Sequence, residues 1–280
     1  MKTQYLQCGR YRLPLNSRPL VMGVLNVTPN SFSDGGRFQS LDLALSHAEQ
    51  MIAEGVDIID IGGESTRPGV QPVPLEEELR RVMPVLYALR DCGKPLSIDT
   101  YKPEVMREAI AAGVDMINDI NGFKASGALR ALNGSECALC IMHMQRDPMT
   151  MQQAPEYQDV TAEIIQFLLE QVRVMQEQGI DCSRLCIDPG FGFGKTLEHN
   201  LTLLKNLGKI ADETGMPILA GLSRKSMIGT LTGKPVEQRM AGSVGAALAA
   251  VARGAKIVRV HDVAETVDAL KVWHAVENSN

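Results

Sequence analysis

The chain has no run of about 18 apolar residues, the length that crosses a bilayer as a helix, so none of its 280 residues is expected to span a membrane. The stretch from Met1 to Pro19 holds Lys2, Arg10, Arg12 and Arg18 and lacks the continuous apolar segment of a secretory leader. A cytoplasmic location is therefore the expectation. There is no long basic run, and the net charge is −5. That argues against nucleic acid and acidic membrane surfaces as partners, while a local basic pocket stays open. No linker or shift in composition marks a second domain. Residues 1–280 are read as one domain, with 1–19 as an N-terminal hairpin and lead-in. Its two arms are Tyr5-Leu6-Gln7 and Tyr11-Arg12-Leu13, and it is placed to plug the bottom of a barrel. No Ser-His-Asp or Cys-His arrangement is evident. Cys137-Ala-Leu-Cys140 has the spacing of a redox or zinc pair, but Cys140 falls inside an apolar strand and no suitable second pair exists. Core packing is the expected role of the six cysteines.

What is present is a repeat. Seven helical patterns close on a glycine (Gly55, Gly93, Gly113, Gly134, Gly179, Gly215 and Gly254), and each is followed by a short apolar run. The runs are Ile58–Asp60, Leu96–Asp99, Met116–Asn118, Cys140–His143, Leu185–Asp188, Ile218–Ser223 and Ile257–His261, with Val21–Asn26 before them all. Alternation of strand and helix on this scale predicts an α/β fold, a (β/α)8 barrel, whose typical size is ~250 residues. The strands are apolar almost throughout, as expected where helices cover the sheet. The helices show 3.6-residue spacing, for example Leu41, Ala44, Leu45, Ala48, Met51 and Ile52. Asp262-x-x-Glu265 has the form of a capping box, and Glu76-Glu77-Glu78 reads as the solvated, dipole-oriented start of a helix.

Nearly every run ends in a polar residue, and the C-terminal ends of the strands are where such a barrel carries its active site. Asp60, Asp99, Asn118 and Asp188 collect acids and an amide on strands two to six, whereas Arg224, Lys225, Arg259 and His261 collect cations on strands seven and eight. Buried carboxylates are costly without partners. The mouth is thus read as a pocket for a donor-rich heterocycle on one side and an anion on the other, the bland alternative being a structural ion-pair network. His261 shares a strand face with Arg259 two residues earlier. His143 at the end of strand five is as compatible with a structural role as with a catalytic one. The connections 26–36 and 62–69 are rich in Gly, hydroxyls, Phe32 and Arg67, which suits loops that close over a ligand. Gly190-Phe191-Gly192-Phe193-Gly194-Lys195-Thr196 imitates a phosphate loop, but only three residues separate Gly190 from Gly194 where four are needed. Its glycines are expected to let Phe191 and Phe193 overhang the mouth, where one of them can stack on a flat ligand.

Over about residues 20–275 the chain resembles the dihydropteroate synthase family. The motifs are Gly23-Val24-Leu25-Asn26-Val27-Thr28-Pro29, Ser31–Gly36, Gly62–Gly69, Ser97–Thr100, Ile117-Asn118-Asp119, Met142-His143-Met144, Asp188–Lys195, Ser223–Ser226 and Arg259–Asp262. One departure is Asn30, where the family usually carries Asp; Asp34 is retained. The resemblance implies a transferase of folate biosynthesis that joins 6-hydroxymethyl-7,8-dihydropterin diphosphate to p-aminobenzoate. It implies that Asp99, Asn118, Asp188 and Lys225 read the pterin, that Asn26, Thr66, Arg259 and His261 take the diphosphate, and that Asn26 touches Mg2+. Phe32, Thr66, Arg67, Pro68, Phe193 and Ser226 match the p-aminobenzoate pocket, with Ser226 opening a short helix over Ser226–Leu231. Asp34, Asp99, Lys225, Arg259 and His261 are the catalytic candidates. Sulfonamide sensitivity and a homodimer are further expectations, the latter through the helix Met240–Val251. The rival readings are a pterin-dependent methyltransferase domain and a non-catalytic pterin-binding paralogue.

Overall fold

In a computed structural model, residues 5–27, 37–65 and 69–279 are described, 37–39 by their backbone alone. Two antiparallel strands, β1 (Tyr5–Cys8) and β2 (Tyr11–Pro14), form a hairpin. The next eight are parallel: β3 (Leu20–Asn26), β4 (Ile58–Gly62), β5 (Leu96–Asp99), β6 (Met116–Asp119), β7 (Ala138–Met142), β8 (Leu185–Asp188), β9 (Ile218–Ala220) and β10 (Ala255–Val260). They close in sequence order, β10 pairing with β3. Between and after them lie α1 (Arg37–Ala53), α2 (Leu75–Leu89), α3 (Pro103–Ala111), α4 (Ala128–Ala131), α5 (Val160–Glu177), α6 (Leu197–Lys205), α7 (Leu207–Thr214), α8 (Ser226–Thr232), α9 (Met240–Val251) and α10 (Val263–Glu277). The barrel expected from the repeat is the barrel found, and all seven glycines that end a helical pattern have positive φ, the left-handed conformation that stops a helix.

Two apolar layers hold the barrel. The outer one packs strands on helices and includes Val21, Leu25, Ile59, Ile61, Ile98, Ile117, Ile141 and Ile187. Gly23 belongs to this contact: a Cβ there would meet Met51 Sδ at 2.6 Å and Val56 at 3.0 Å. The inner layer fills the lower lumen with Met22, Ile58, Met116, Cys140, Cys186, Leu219 and Ile257, sealed from below by Leu6, Cys8 and Leu15 of the hairpin segment. The hairpin is therefore the expected plug. The six cysteines are all free, and Cys8, Cys137, Cys140 and Cys186 are buried.

Strand register sets the upper rim. Asn26 stands opposite Gly62, Gly62 opposite Asp99, and Asp99 opposite Asn118. Because side chains alternate along a strand, a slip of one residue in any of these strands would turn its polar end outward.

Two charged motifs behave differently from their sequence reading. Glu78 is not on a solvated face; it is 1% exposed. It turns from α2 to the barrel, where Thr100 Oγ1 donates to it at 2.7 Å and Lys102 pairs with it. Asp262 stands at the N-cap of α10, but its side chain makes no capping bond. The Arg224 guanidinium takes both carboxylate oxygens, at 3.1 and 2.5 Å, and such a bidentate charged pair is stronger than a bond to a neutral N–H.

The plug is latched by Asp115. This buried carboxylate accepts from Arg10 N at 3.2 Å, Arg10 Nε at 3.0 Å, Arg10 Nη2 at 3.0 Å and Leu96 N at 3.0 Å. Asp115→Ala strands the Leu96 and Arg10 amides and should lower stability by about 2–3 kcal/mol in urea unfolding, from the cost of unsatisfied buried donors. Arg10→Ala should cost less, since the Arg10 side chain is 44% exposed. Equal losses for the two variants would contradict the latch.

Candidate active site

The polar rim converges on one guanidinium. Arg259, on β10, donates from Nε to Asp60 Oδ2 at 2.6 Å and from Nη2 to Asp99 Oδ2 at 2.7 Å. Asn118 Nδ2 donates to the same Asp60 oxygen at 3.2 Å, which leaves Asn118 Oδ1 as the acceptor of that amide. Burial works against the Arg259 charge, but Asp60 and Asp99 hold it firmly cationic. Burial also pushes Asp99 up to about 7, helped by Asp60, Glu78 and Asp119 and opposed by Arg259. Asp188 is raised by burial, against Lys225 and a bond of 2.7 Å from the Gly190 amide. Lys225 is brought down to about 8 by burial, against the pull of Asp188. Several carboxylates and an amide oxygen thus face two cations, a set that favours a ligand with its own N–H donors.

Asp60, Asp99 and Asn118 are joined through Arg259, and Asp188 and Lys225 lie beside it across Gly221. A Cβ at Gly221 would sit 3.6 Å from Asp188 Oδ2, 3.9 Å from Lys225 Nζ and 4.0 Å from Arg259 Cβ. The missing side chain is the space between them. Gly62 does the same between Asn26 Oδ1, at 3.6 Å, and Asp99 Oδ2, at 3.9 Å. In the sequence Gly62 reads only as the start of a loop and Gly221 as part of a strand run; their signal is a small residue at a strand end where neighbours carry charge. His261 follows Arg259, and its backbone N–H and Nδ1 both bond Ser223 Oγ, at 3.2 and 3.0 Å. Ser226 opens α8 and is exposed. Phe32, Asp34, Thr66, Arg67 and Pro68 lie outside the described residues. Arg224 is bound to Asp262 and does not join the central group.

The segment after β8 divides its two phenylalanines. Phe193 packs beside Ile120, Met142, Met144 and Met151, with Lys225 Nζ 4.5 Å from its ring centroid. Phe191 does not overhang the mouth: it is fully buried in the core between strands and helices, and its carbonyl accepts from Lys225 Nζ. The glycines serve close approach. A Cβ at Gly190 would fall 1.8 Å from His143 O, and one at Gly192 would fall 3.1 Å from Lys225 Cδ. Lys195 is turned inward, donating to Phe193 O at 2.9 Å beside His143 Nδ1 at 3.0 Å. Burial holds His143 down near a pKa of about 2, which keeps the imidazole neutral, and burial lowers Lys195 as well. His143 is part of the loop's frame, and Lys195 is not presented to a phosphate.

The model of the family described as pterin binding enzyme matches residues 22–261. The chain belongs to this family. It is 50% identical over 274 residues to the dihydropteroate synthase of Neisseria meningitidis serogroup C, with 96% of each chain covered. It is 51% identical over 266 residues to that of Haemophilus influenzae, covering 94% of this chain and 96% of the other. Among solved structures, Burkholderia cenocepacia dihydropteroate synthase complexed with 7,8-dihydropteroate superposes with a TM-score of 0.90 at 53% identity, covering 98% of this chain and 97% of that one. The Xanthomonas albilineans enzyme with 4-aminobenzoic acid gives 0.93 at 50% identity over the whole of both chains. The sulfonamide complex of the Yersinia pestis enzyme gives 0.93 at 46%, covering 99% of this chain and all of that one.

Two predictions follow from the rim. Gly221→Val fills the space between Asp188, Lys225 and Arg259 and should abolish pterin binding in calorimetry while circular dichroism stays native; retained affinity would remove Gly221 from the pocket. Affinity for a pterin should fall as pH rises through about 8, where Lys225 loses its proton. Unfolded lysine keeps its proton to about 10.4, so between these values the unfolded chain binds more protons and this group's contribution to stability rises with pH. Weaker binding above pH 8 without a falling melting temperature separates Lys225 titration from unfolding.

Proposed function

We propose that the chain is the transferase that condenses 6-hydroxymethyl-7,8-dihydropterin diphosphate with p-aminobenzoate, yielding 7,8-dihydropteroate and pyrophosphate in folate biosynthesis. The observation that carries this is the single mouth in which Asp99, Asn118 and Asp188 offer acceptors while Lys225 and Arg259 offer charge, with His261 just past the end of β10, which stops at Val260 rather than running through His261 as the sequence suggested. Its supports outside the chain are the relatives with 7,8-dihydropteroate and 4-aminobenzoic acid bound.

In this reading Asp188, Asn118 and Asp99 accept from the pterin's amino and ring N–H edge, and Lys225 donates to its oxygen or ring nitrogen. Arg259 and His261 neutralise the diphosphate, with Asn26 and Thr66 beside it. The C–O bond breaks and its electron pair leaves with pyrophosphate. The resulting 6-methylene cation is delocalised over the ring and stabilised by fixed carboxylates, with Asp99 and Asp34 the candidates, since preorganised charge acts most strongly where water is excluded. The aniline nitrogen then forms the C–N bond and gives up a proton to solvent. As a neutral nucleophile it needs no strong base. Phe32, Thr66, Arg67, Pro68, Phe193 and Ser226 are assigned to holding p-aminobenzoate, which makes sulfonamides, its mimics, expected inhibitors.

Magnesium fits this arrangement as a cation shared with the substrate. Among the described residues no group of three His, Cys, Asp or Glu could hold a metal alone. The Asn26 amide oxygen stands at the rim next to Gly62, and Mg2+ commonly takes one or two protein oxygens and completes its shell with phosphate and water. Bound there, it would supply Lewis-acid charge neutralisation to the leaving group. A homodimer and a cytoplasmic location remain part of the proposal; no helix among the described residues is long and apolar enough to cross a membrane.

The test is pyrophosphate release from the pterin diphosphate with Mg2+, with and without p-aminobenzoate. Release coupled to dihydropteroate formation is expected. Tight pterin binding without product would favour the methyltransferase or binding-only reading. Within the site, Asp188→Asn should weaken pterin binding by roughly 100-fold while the fold persists, the scale of a lost charged hydrogen bond of about 3 kcal/mol; calorimetry on a variant with native circular dichroism decides it.

A further inference from the structure

Three charged side chains meet just outside the central group. Lys102 Nζ, from the turn into α3, lies between Glu64 Oε2 and Glu78 Oε2. The three side chains are 15%, 7% and 2% exposed. Each carboxylate has a second donor: Tyr101 OH to Glu64 Oε1 at 2.9 Å, and Thr100 Oγ1 to Glu78 Oε1 at 2.7 Å. Lys102 Nζ also stands 4.7 Å from the Tyr101 ring centroid. Burial opposes the lysine's charge, but the two glutamates raise it, so the ammonium is retained.

Buried ion pairs are often no more stable than apolar residues of similar size, so stability alone does not explain such a triad. Its connections do. Glu64 lies on the chain two residues after Gly62 and three before Arg67. The preceding Gly63 is pinned as well: Arg81 Nη1 donates to its carbonyl at 2.8 Å, and a Cβ on it would strike Val82 at 2.7 Å. Tyr101, which holds Glu64, packs on the same Ile120, Met142, Met144 and Met151 cluster as Phe193. One network therefore ties the root of the second loop to the platform under Phe193, from two strands and α2.

We propose that Lys102 and Tyr101, acting through Glu64, are positioning residues for the second substrate: they fix Glu64, at the root of the second loop, relative to Phe193 and so tune the use of p-aminobenzoate without touching the pterin. The inference rests on the assignment of Arg67 and Phe193 to p-aminobenzoate. Lys102→Met should raise the KM for p-aminobenzoate about tenfold, the scale of a modest misplacement of binding groups. The Kd for the pterin diphosphate, by calorimetry, should move less than about twofold, since the central cations and acids are untouched. Lys102→Arg, which keeps the charge, should restore most of the loss. Tyr101→Phe leaves all charges paired and removes only the bond to Glu64; it decides the matter if Lys102→Met does not fold, with an expected rise of about threefold in the same KM from the loss of one hydrogen bond. Arg67→Ala runs alongside. If Arg67→Ala is selective for p-aminobenzoate while the Lys102 and Tyr101 variants lose both substrates equally, or neither, the positioning role is overturned. If Arg67→Ala is itself unselective, the assignment beneath it fails and the proposal with it.

Discussion

The arrangement of the whole mouth depends on Arg259 held between Asp60 and Asp99. A guanidinium inside a barrel is tolerable only if its charge is met at once, and the two carboxylates come from strands adjacent in the sheet but distant from β10 in sequence. Their register with Gly62 and Asn118 is what brings them within reach. Once Arg259 is fixed, Asp60 also fixes the amide of Asn118, so one carboxylate orients both a cation and an amide of the mouth. Asp60 contacts two candidate residues and is as much a part of the centre as either. The apolar lower layer and the hairpin plug then have a function beyond stability: they keep water from reaching these charges from below.

The loop after β8 works by the same economy of space. Its sequence imitates a phosphate cradle because both designs need glycines where backbone approaches something closely. Here the partners are His143 O and the stem of Lys225, not a phosphate. The lysine that would reach a nucleotide is instead folded under the loop, donating to Phe193 O beside a neutral His143. That packing presents Phe193 and the Lys225 ammonium together and sends Phe191 into the core.

The barrel and the strand-end residues were legible because both obey local rules. A glycine after each helix and an apolar run after each glycine are periodic signals, and inward residues at strand ends can be counted. What was not legible depended on tertiary partners. Glu78 reads as one of three glutamates opening a helix; only the approach of Thr100 and Lys102 shows that it faces inward. Asp262 has the spacing of a cap, but a guanidinium from the preceding strand end reaches it first. Phe191 and Phe193 alternate with glycines and look equivalent, whereas the positive φ of Gly190 and Gly192 sends them to different sides. Gly62 and Gly221 carry no side chain to notice, although an added Cβ at either would come up against charged or polar groups of the rim.

The charge balance of the mouth then bears on how the reaction is driven. Asp60, Asp99 and Asp188 outnumber Arg259 and Lys225, and burial has pushed Asp99 and Asp188 up toward their neutral forms. On the proposed assignment a pterin edge would bring N–H donors to these acids, and each bond formed would favour the ionised carboxylate. On that assignment the diphosphate would bring negative charge to Arg259 and compete with Asp60 and Asp99 for the same guanidinium. As the leaving group departed, positive charge would appear on the pterin at the moment when the fixed acids had been partly freed from their cation. In the proposed reaction, the field that makes these clustered acids costly would become favourable where the cation develops, and favourable only there, which is the condition for accelerating the step rather than merely binding the substrate.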